Sequence, residues 1–333
     1  MRKRFFIAFA LTLSAATVML TALSASAAPP AAIPTVTPGW VTGLQGGSGS
    51  TVGPDGALYV PEPAAGRISR VDPKSGAVTT FASGLPTQVI PLGGVMDVAF
   101  IGETAYALVT LVGDPLIGGD DIDGVYRVDG PNSFTVVADI GAFAIANPPD
   151  ADIFLVTGVQ YAMEPFRGGF LVTDGHHNRV YRVALDGAVS ELLQLGNVVP
   201  TGLAARGNTV YMAEAGPLPH APANGKVVSF EPGSSSTTQV AAGAPLLVDV
   251  EFGRGRDLFA LSQGVHTVGD AGSPADANTG SLVTVNGDGT FTSIATGIDR
   301  PTSLEVIGTS AYVVTLTGQI WRIDNISSPP FGK

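Results

Sequence analysis

The chain has 333 residues, no cysteine and a formal net charge of −11, from 17 Lys and Arg against 28 Asp and Glu. Without thiols there is no disulfide scaffold, zinc-thiolate site or thiol nucleophile. The acidic balance excludes a general nucleic-acid binder and disfavours docking on anionic lipid, since both depend on basic side chains that meet phosphates. Only 14% of residues are charged while Gly numbers 43 and Pro 25, a composition that predicts frequent turns and little helical surface.

The chain opens with Arg2, Lys3 and Arg4, then an apolar run from Phe5 to Leu23, then Ala25-Ser26-Ala27. That basic, apolar, small-residue order is a secretory signal, so cleavage after Ala27 is expected, with an uncleaved anchor as the alternative. No later stretch reaches the ~18 uninterrupted apolar residues of a membrane helix. The mature chain is therefore expected to be exported, extracellular or periplasmic, with no integral membrane segment.

Beyond the signal, a short strand with an aromatic at its centre recurs six times, around Tyr59, Tyr106, Phe170, Tyr211, Phe259 and Tyr312. Each copy leads into a second alternating strand that opens on Gly or Asn, at Gly66, Gly124, Asn178, Gly225, Gly280 and Gly318. Period-two alternation entered from a tight turn reads as a hairpin. A third strand follows in most copies, over Gly76–Ala82, Ser133–Asp139, Gly187–Leu193, Thr237–Ala242 and Gly289–Ala295. One more apolar strand precedes each aromatic. Counting back nine positions gives Ser50, Asp97, Tyr161, Gly202 and Ser303, and counting back ten from Phe259 gives Asp249.

Four strands repeated six times predict an all-β fold, a six-bladed β-propeller with blades near 45–88, 89–143, 144–197, 198–245, 246–298 and 299–330. An open ring would expose sheet edges, and the last repeat has too little chain left for its outer strand. The segment around Thr37–Thr42, within 34–44, is therefore expected to complete blade six. A β-sandwich or paired barrels is the other architecture, which the sixfold motif argues against.

The third repeat, FLVTDGHHNRVYRVALDGAVSEL from Phe170 to Leu192, resembles the NHL-type and TolB-like propeller strand pair. The mature chain is similar to the ScyD/ScyE family of bacterial proteins. The similarity is carried by GPDGALYVPEP (Gly53–Pro63), VMDVAF (Val95–Phe100), VVADIGAFAIANP (Val136–Pro148), LVTDGHHNRVYRV (Leu171–Val183) and VPTGLAARGNTVYMAEAG (Val199–Gly216). The resemblance implies a secreted six-bladed propeller and no settled reaction. The family's Gly-x-Pro-Phe-Pro-x-Gly loop reads here as GPLPHAPANG (Gly216–Gly225), with Leu218 in the place of the aromatic.

Insertions between the second and third strands mark the working face of a propeller. They fall at Gly113–Asp123, Gly216–Gly225 and Gly264–Gly280, carrying Asp114, Asp120, Asp121, Asp123, Asp270 and Asp276. Carboxylates on Gly-rich loops suit Ca²⁺ or another divalent cation; Asp is equally favoured in such turns because it bonds its own backbone. In the channel, Asp97 and Asp249 lie three blades apart and face each other, with Ser50, Tyr161 and Ser303 completing a polar ring. They could hold a metal, act as acid and base, or bind water and backbone. Glu62, Asp174 and Glu214, at strand ends, are reserve catalytic carboxylates. His220 and His266, on inserted loops, could meet on the rim as ligand contacts, whereas the adjacent His176 and His177 point apart. No Gly-x-Ser-x-Gly elbow and no phosphate loop is present. Two functions are open: a non-enzymatic binding or scaffold protein for a small molecule, glycan or protein on the loop-rich face, or a metal-assisted hydrolase of the lactonase or strictosidine-synthase-like kind.

Overall fold

Short alternating segments separated by glycine turns each leave one apolar face to bury, and stacking such sheets around an axis buries both faces of every sheet. The computed structural model describes residues 33–151, 153–267 and 273–327, which form six four-stranded sheets. The innermost strands are Thr51–Val52, Gly94–Ile101, Gln160–Phe166, Pro200–Arg206, Leu247–Phe252 and Pro301–Ile307. Every neighbouring pair within a blade is antiparallel, as hairpin connections require.

The recurring aromatics fill the wedges between blades. Tyr59 meets Phe100 of the next blade edge to face at 4.8 Å, Tyr106 meets Phe170 at 5.0 Å and Tyr211 meets Phe252 at 5.2 Å. Six apolar clusters result, each centred on the seam between two adjacent blades. The core is thus a ring of seams around an axis lined by polar groups.

The ring closes as the sequence predicts. Thr35–Val41 pairs antiparallel with Ile320–Asp324 and becomes the outer strand of blade six. Val41, Ile320 and Tyr312 bury together, and the Tyr312 hydroxyl donates to the Pro73 carbonyl of blade one at 2.7 Å. Beyond the sequence reading, Ile140–Ala146 forms a short helix after blade two, started by Asp139, whose side chain accepts from the Ala142 N–H at 2.7 Å. The expected signal, residues 1–27, lies outside the described residues. Among the described residues, no helix is long and apolar enough to cross a membrane.

Ile320 is fully buried in the closing blade. Ile320→Ala should therefore cost about 2–5 kcal/mol in urea unfolding, while Val36→Ala on the exposed side of the closing strand should change little.

Candidate binding site at the channel mouth

Each innermost strand is the edge of its sheet, so its axis-facing N–H groups need acceptors from elsewhere. Two aspartates supply them. Asp97 accepts from its neighbour Val98 N–H at 2.8 Å and from Met163 N–H of the next blade at 2.7 Å. Asp249 repeats this with Val250 N–H at 2.8 Å and Leu304 N–H at 2.7 Å. Room for the two carboxylates comes from Gly49 and Gly202 on the preceding blades, where a Cβ would collide with Asp97 and Asp249 respectively. The Ser50 and Ser303 hydroxyls bond each other at 2.8 Å.

Asp97, Asp249 and Ser303 pair with Leu108, Leu261 and Val314, each two residues beyond its blade's aromatic. In blade three Met163 takes that place, opposite Val172, because the hairpin at Arg167-Gly168 is shorter. Tyr161, which counting back from the aromatic puts level with the aspartates, therefore sits nearer the mouth. Its hydroxyl crosses to the Thr302 carbonyl of blade six at 3.1 Å. Below this bridge the channel is a narrow shaft of about 50 Å³.

The sequence reading missed three further carboxyls lining that shaft, Glu164, Glu251 and Glu305. Glu164 accepts from Ala205 N–H of the next blade at 3.0 Å and Glu251 from Phe252 N–H at 2.7 Å. Glu251 and Glu305 stand directly opposite the aromatics Phe259 and Tyr312, where the other blades carry Thr51, Ala99, Pro165 and Ala204. Acidic residues at those positions were the available signal. Burial, resisted by the backbone bonds, raises Asp249 to about 7 and Asp97 well above the usual carboxylate range. Burial and the neighbouring acids raise Glu164 and Glu251 to about 8 and lift Glu305 strongly. Tyr161 is pushed up by the same causes and keeps its proton.

Above Tyr161 the mouth widens into a basin of about 1580 Å³, to which all six blades contribute. All three predicted insertions reach it: Leu116 and Ile117 from the first, Pro217, Leu218 and His220 from the second, Ser273 and Pro274 from the third. Two segments the sequence reading did not single out add Ile90 and Leu92, and Phe154 and Leu155. Leu116 and Phe154 are 64% and 58% exposed, an unusual position for large apolar side chains unless something covers them. His176 pins the Phe154 wall, its Nε2 accepting from the N–H groups of Phe154 and Leu155 at 3.1 and 3.2 Å. Burial and the neighbouring His177 lower its pKa, in keeping with a ring nitrogen that must stay unprotonated to accept.

The other candidates are placed as follows. His220 and His266 meet edge to face with ring centroids 5.7 Å apart. Glu62 is held by both arms of Arg67, by Ser69 and by Gln45 N–H. Asp174 is buried beneath Val159 N–H, His177 N–H and the Tyr181 hydroxyl. Both bind the chain that leads into or out of their own blade. Glu214, opposite Lys226, is raised to about 7 by burial. Among the described residues no group of three or more His, Asp or Glu side chains is arranged to hold a metal ion. Asp114 accepts from Leu116 N–H and Thr157 N–H, and Asp123 from Val112 N–H and Gly113 N–H. Asp120 and Asp121 are exposed, Asp276 accepts from the Thr267 hydroxyl, and Asp270 lies outside the described residues. Both oxygens of Asp114 accept from backbone amides, whereas Asp123 accepts through Oδ1 alone and its buried Oδ2 has no protein partner.

No known family profile matches the sequence, and no curated protein does. Solved structures do. The fold is similar to virginiamycin B lyase from Staphylococcus aureus, with 14% identity, TM-score 0.55, and 87% of this chain and 99% of that one covered. It is similar to a gluconolactonase from Xanthomonas campestris, with 12% identity, TM-score 0.61 and coverage of 87% and 89%. It is also similar to a chain of a nidogen/laminin complex, with 14% identity, TM-score 0.52 and coverage of 77% and 84%. At such identities the likeness establishes the six-bladed architecture, which serves enzymes and non-enzymes alike.

Two measurements probe the site's physics. Unfolded carboxyls titrate near ~4, whereas Asp249, Glu164 and Glu251 hold protons to about 7 or 8 when folded. The folded state binds the extra protons in that window, so stability is greatest at its acid end and falls as pH rises, by about 1.4 kcal/mol per pH unit and carboxyl at most. His176, whose pKa is lowered, acts in the opposite sense, and only below its ordinary ~6.5. The melting temperature should therefore be higher at pH 6.5 than at pH 8.5, and Glu251→Gln should flatten the difference. Separately, Gly202→Ala should displace Asp249 and lower the unfolding free energy by about 1–3 kcal/mol.

Proposed function

We propose that the protein is an exported, ScyD/ScyE-like propeller that binds a small, largely apolar molecule in the basin at the channel mouth. The observation that carries this reading is the basin itself: about 1580 Å³ of concave space, walled by exposed Leu116, Phe154 and Leu218 and contributed by every blade. A concave site whose walls are mainly apolar, with polar side chains such as Gln88, Asn197 and Gln263 among them, suits a small-molecule ligand. A protein partner would more naturally meet a flat surface than a pit. The basic, apolar, small-residue order of residues 2–27 supports export.

A second reading is a metal-assisted hydrolase or lyase. It is supported by the likeness to a lyase and a gluconolactonase and by Asp249, whose pKa near 7 suits a general base. In that case Asp97 and Asp249 would be the working acids, with Tyr161 between them and the basin.

The test is titration with a neutral apolar fluorophore such as Nile red. Saturable binding is expected, and the exposed-wall variants Leu116→Ser and Phe154→Ser should each weaken it roughly 10-fold or more, from the apolar contact they remove. Absence of saturable binding would reject the basin reading. Lactone hydrolysis that depends on added divalent cation and is lost in Asp97→Asn would replace it with the second.

A further inference from the structure

We infer that the basin's ligand is an amphipathic cation, an apolar ring-bearing molecule with a protonated amine directed at the channel floor. The inference rests on the basin reading above and adds a charge to the occupant. Its first support is a lining without cations, whose carboxyls are protonated near neutrality and can ionise beneath a bound positive charge. Five carboxyl groups, Asp97, Glu164, Asp249, Glu251 and Glu305, line the shaft directly beneath the floor. No Lys or Arg lines the basin among the described residues, while Asp150 adds an acid to its wall. Arg206 is the one basic side chain acting on this set; it lies over the Phe252 ring at 3.7 Å and donates to the Gly255 carbonyl, outside the shaft lining. An anionic ligand would find no Lys or Arg to pair with among these residues and would oppose ionisation of the carboxyls.

The second support is the floor's hydrogen-bonding character. Tyr161 and Thr302 border both the basin and the shaft, so the partition between them is a single layer of side chains. The Tyr161 proton is committed to the Thr302 carbonyl, and burial beside Asp97 and Asp249 keeps the phenol un-ionised. What the floor can offer a ligand is therefore phenol and carbonyl lone pairs, which accept and do not donate. An ammonium group supplies the donors those lone pairs lack. The walls add aromatic faces at Phe154 and Tyr161, on which a cation is also favourably placed. The shaft, at about 50 Å³, is too small for the ligand's body, so the apolar part stays in the basin and only the charged head feels the carboxyls.

Arrival of a cation also changes the shaft. Carboxyls that burial and mutual repulsion hold protonated near neutrality ionise more readily once a positive charge sits above them. Binding of an amine should release protons, and binding of its neutral analogue should not.

The experiment uses three naphthalene probes that differ only in the head: aminoethyl, hydroxyethyl and carboxymethyl. Each is titrated calorimetrically at pH 7 in two buffers of different ionisation enthalpy. The aminoethyl probe should bind at least ~10-fold tighter than the hydroxyethyl, a difference of about 1.4 kcal/mol. The carboxymethyl should bind weakest, and only the amine should show buffer-dependent heat from proton release. In Asp97→Asn/Asp249→Asn the amine-to-alcohol ratio should fall towards one, and Glu251→Gln/Glu305→Gln gives the same reading if the first variant does not fold. Equal affinities for the three heads, or an unchanged ratio in both variants, would overturn the charge assignment and leave the basin as a site for neutral ligands. No saturable binding of any probe would overturn the basin reading as well.

Discussion

The N–H groups on the axis-facing edge of each inner strand have no partner strand, and the protein answers them with carboxylates. Asp97 joins blade two to blade three, Asp249 joins blade five to blade six, and Glu164 joins blade three to blade four. A buried amide without an acceptor would cost on the order of 1–3 kcal/mol, and a carboxylate can accept from two amides at once. The device stabilises seams that apolar packing alone would leave free to slide, and it fixes how close the inner strands approach the axis. Gly49 and Gly202 belong to the same device, since any side chain there would occupy the space the carboxylates need.

That solution has an electrostatic consequence. Five carboxyls are buried together with no basic lining residue, so the cost of burying their charge, and after it their mutual repulsion, is relieved by retaining protons rather than by pairing with Lys or Arg. Glu62 contrasts with them: although buried, it is held below the usual range by Arg67, Gln45 and Ser69. Glu62 is thus compensated by its own partners, while the carboxyls on the axis hold protons that a positive charge at the mouth would help to release.

Much of the architecture was legible because it depends on local chemistry. Six aromatics at strand centres mark six inter-blade wedges, and glycine turns separate the hairpins. Thr35–Val41 was recognisable as the missing outer strand because an open edge had to be covered. The site was less legible because its residues depend on register. A fixed count back from the aromatic located Asp97 and Asp249 but placed Tyr161 too deep, since the blade-three hairpin is shorter. Glu251 and Glu305 were overlooked although each stands directly across from its blade's aromatic. The rim acids were hard to read for a different reason: a sequence shows how many oxygens a loop carries, but not that both oxygens of Asp114 and the Oδ1 of Asp123 accept from backbone amides.

The two halves of the ring repeat the same arrangement of glycine, aspartate and neighbouring amide: Gly49, Asp97 and Met163 in one, Gly202, Asp249 and Leu304 in the other. The floor of the basin arises where this near-twofold pattern breaks. In blade three the short hairpin moves Tyr161 towards the mouth, while blade six presents only Thr302 and Ser303 at the facing position, leaving the phenol space to reach across the axis. A symmetric ring with two tyrosines would crowd the channel, and one with two serines would leave it open. The single tyrosine separates a wide apolar basin from a narrow acidic shaft, and the difference between those two spaces is what gives the mouth a direction in which to hold a ligand.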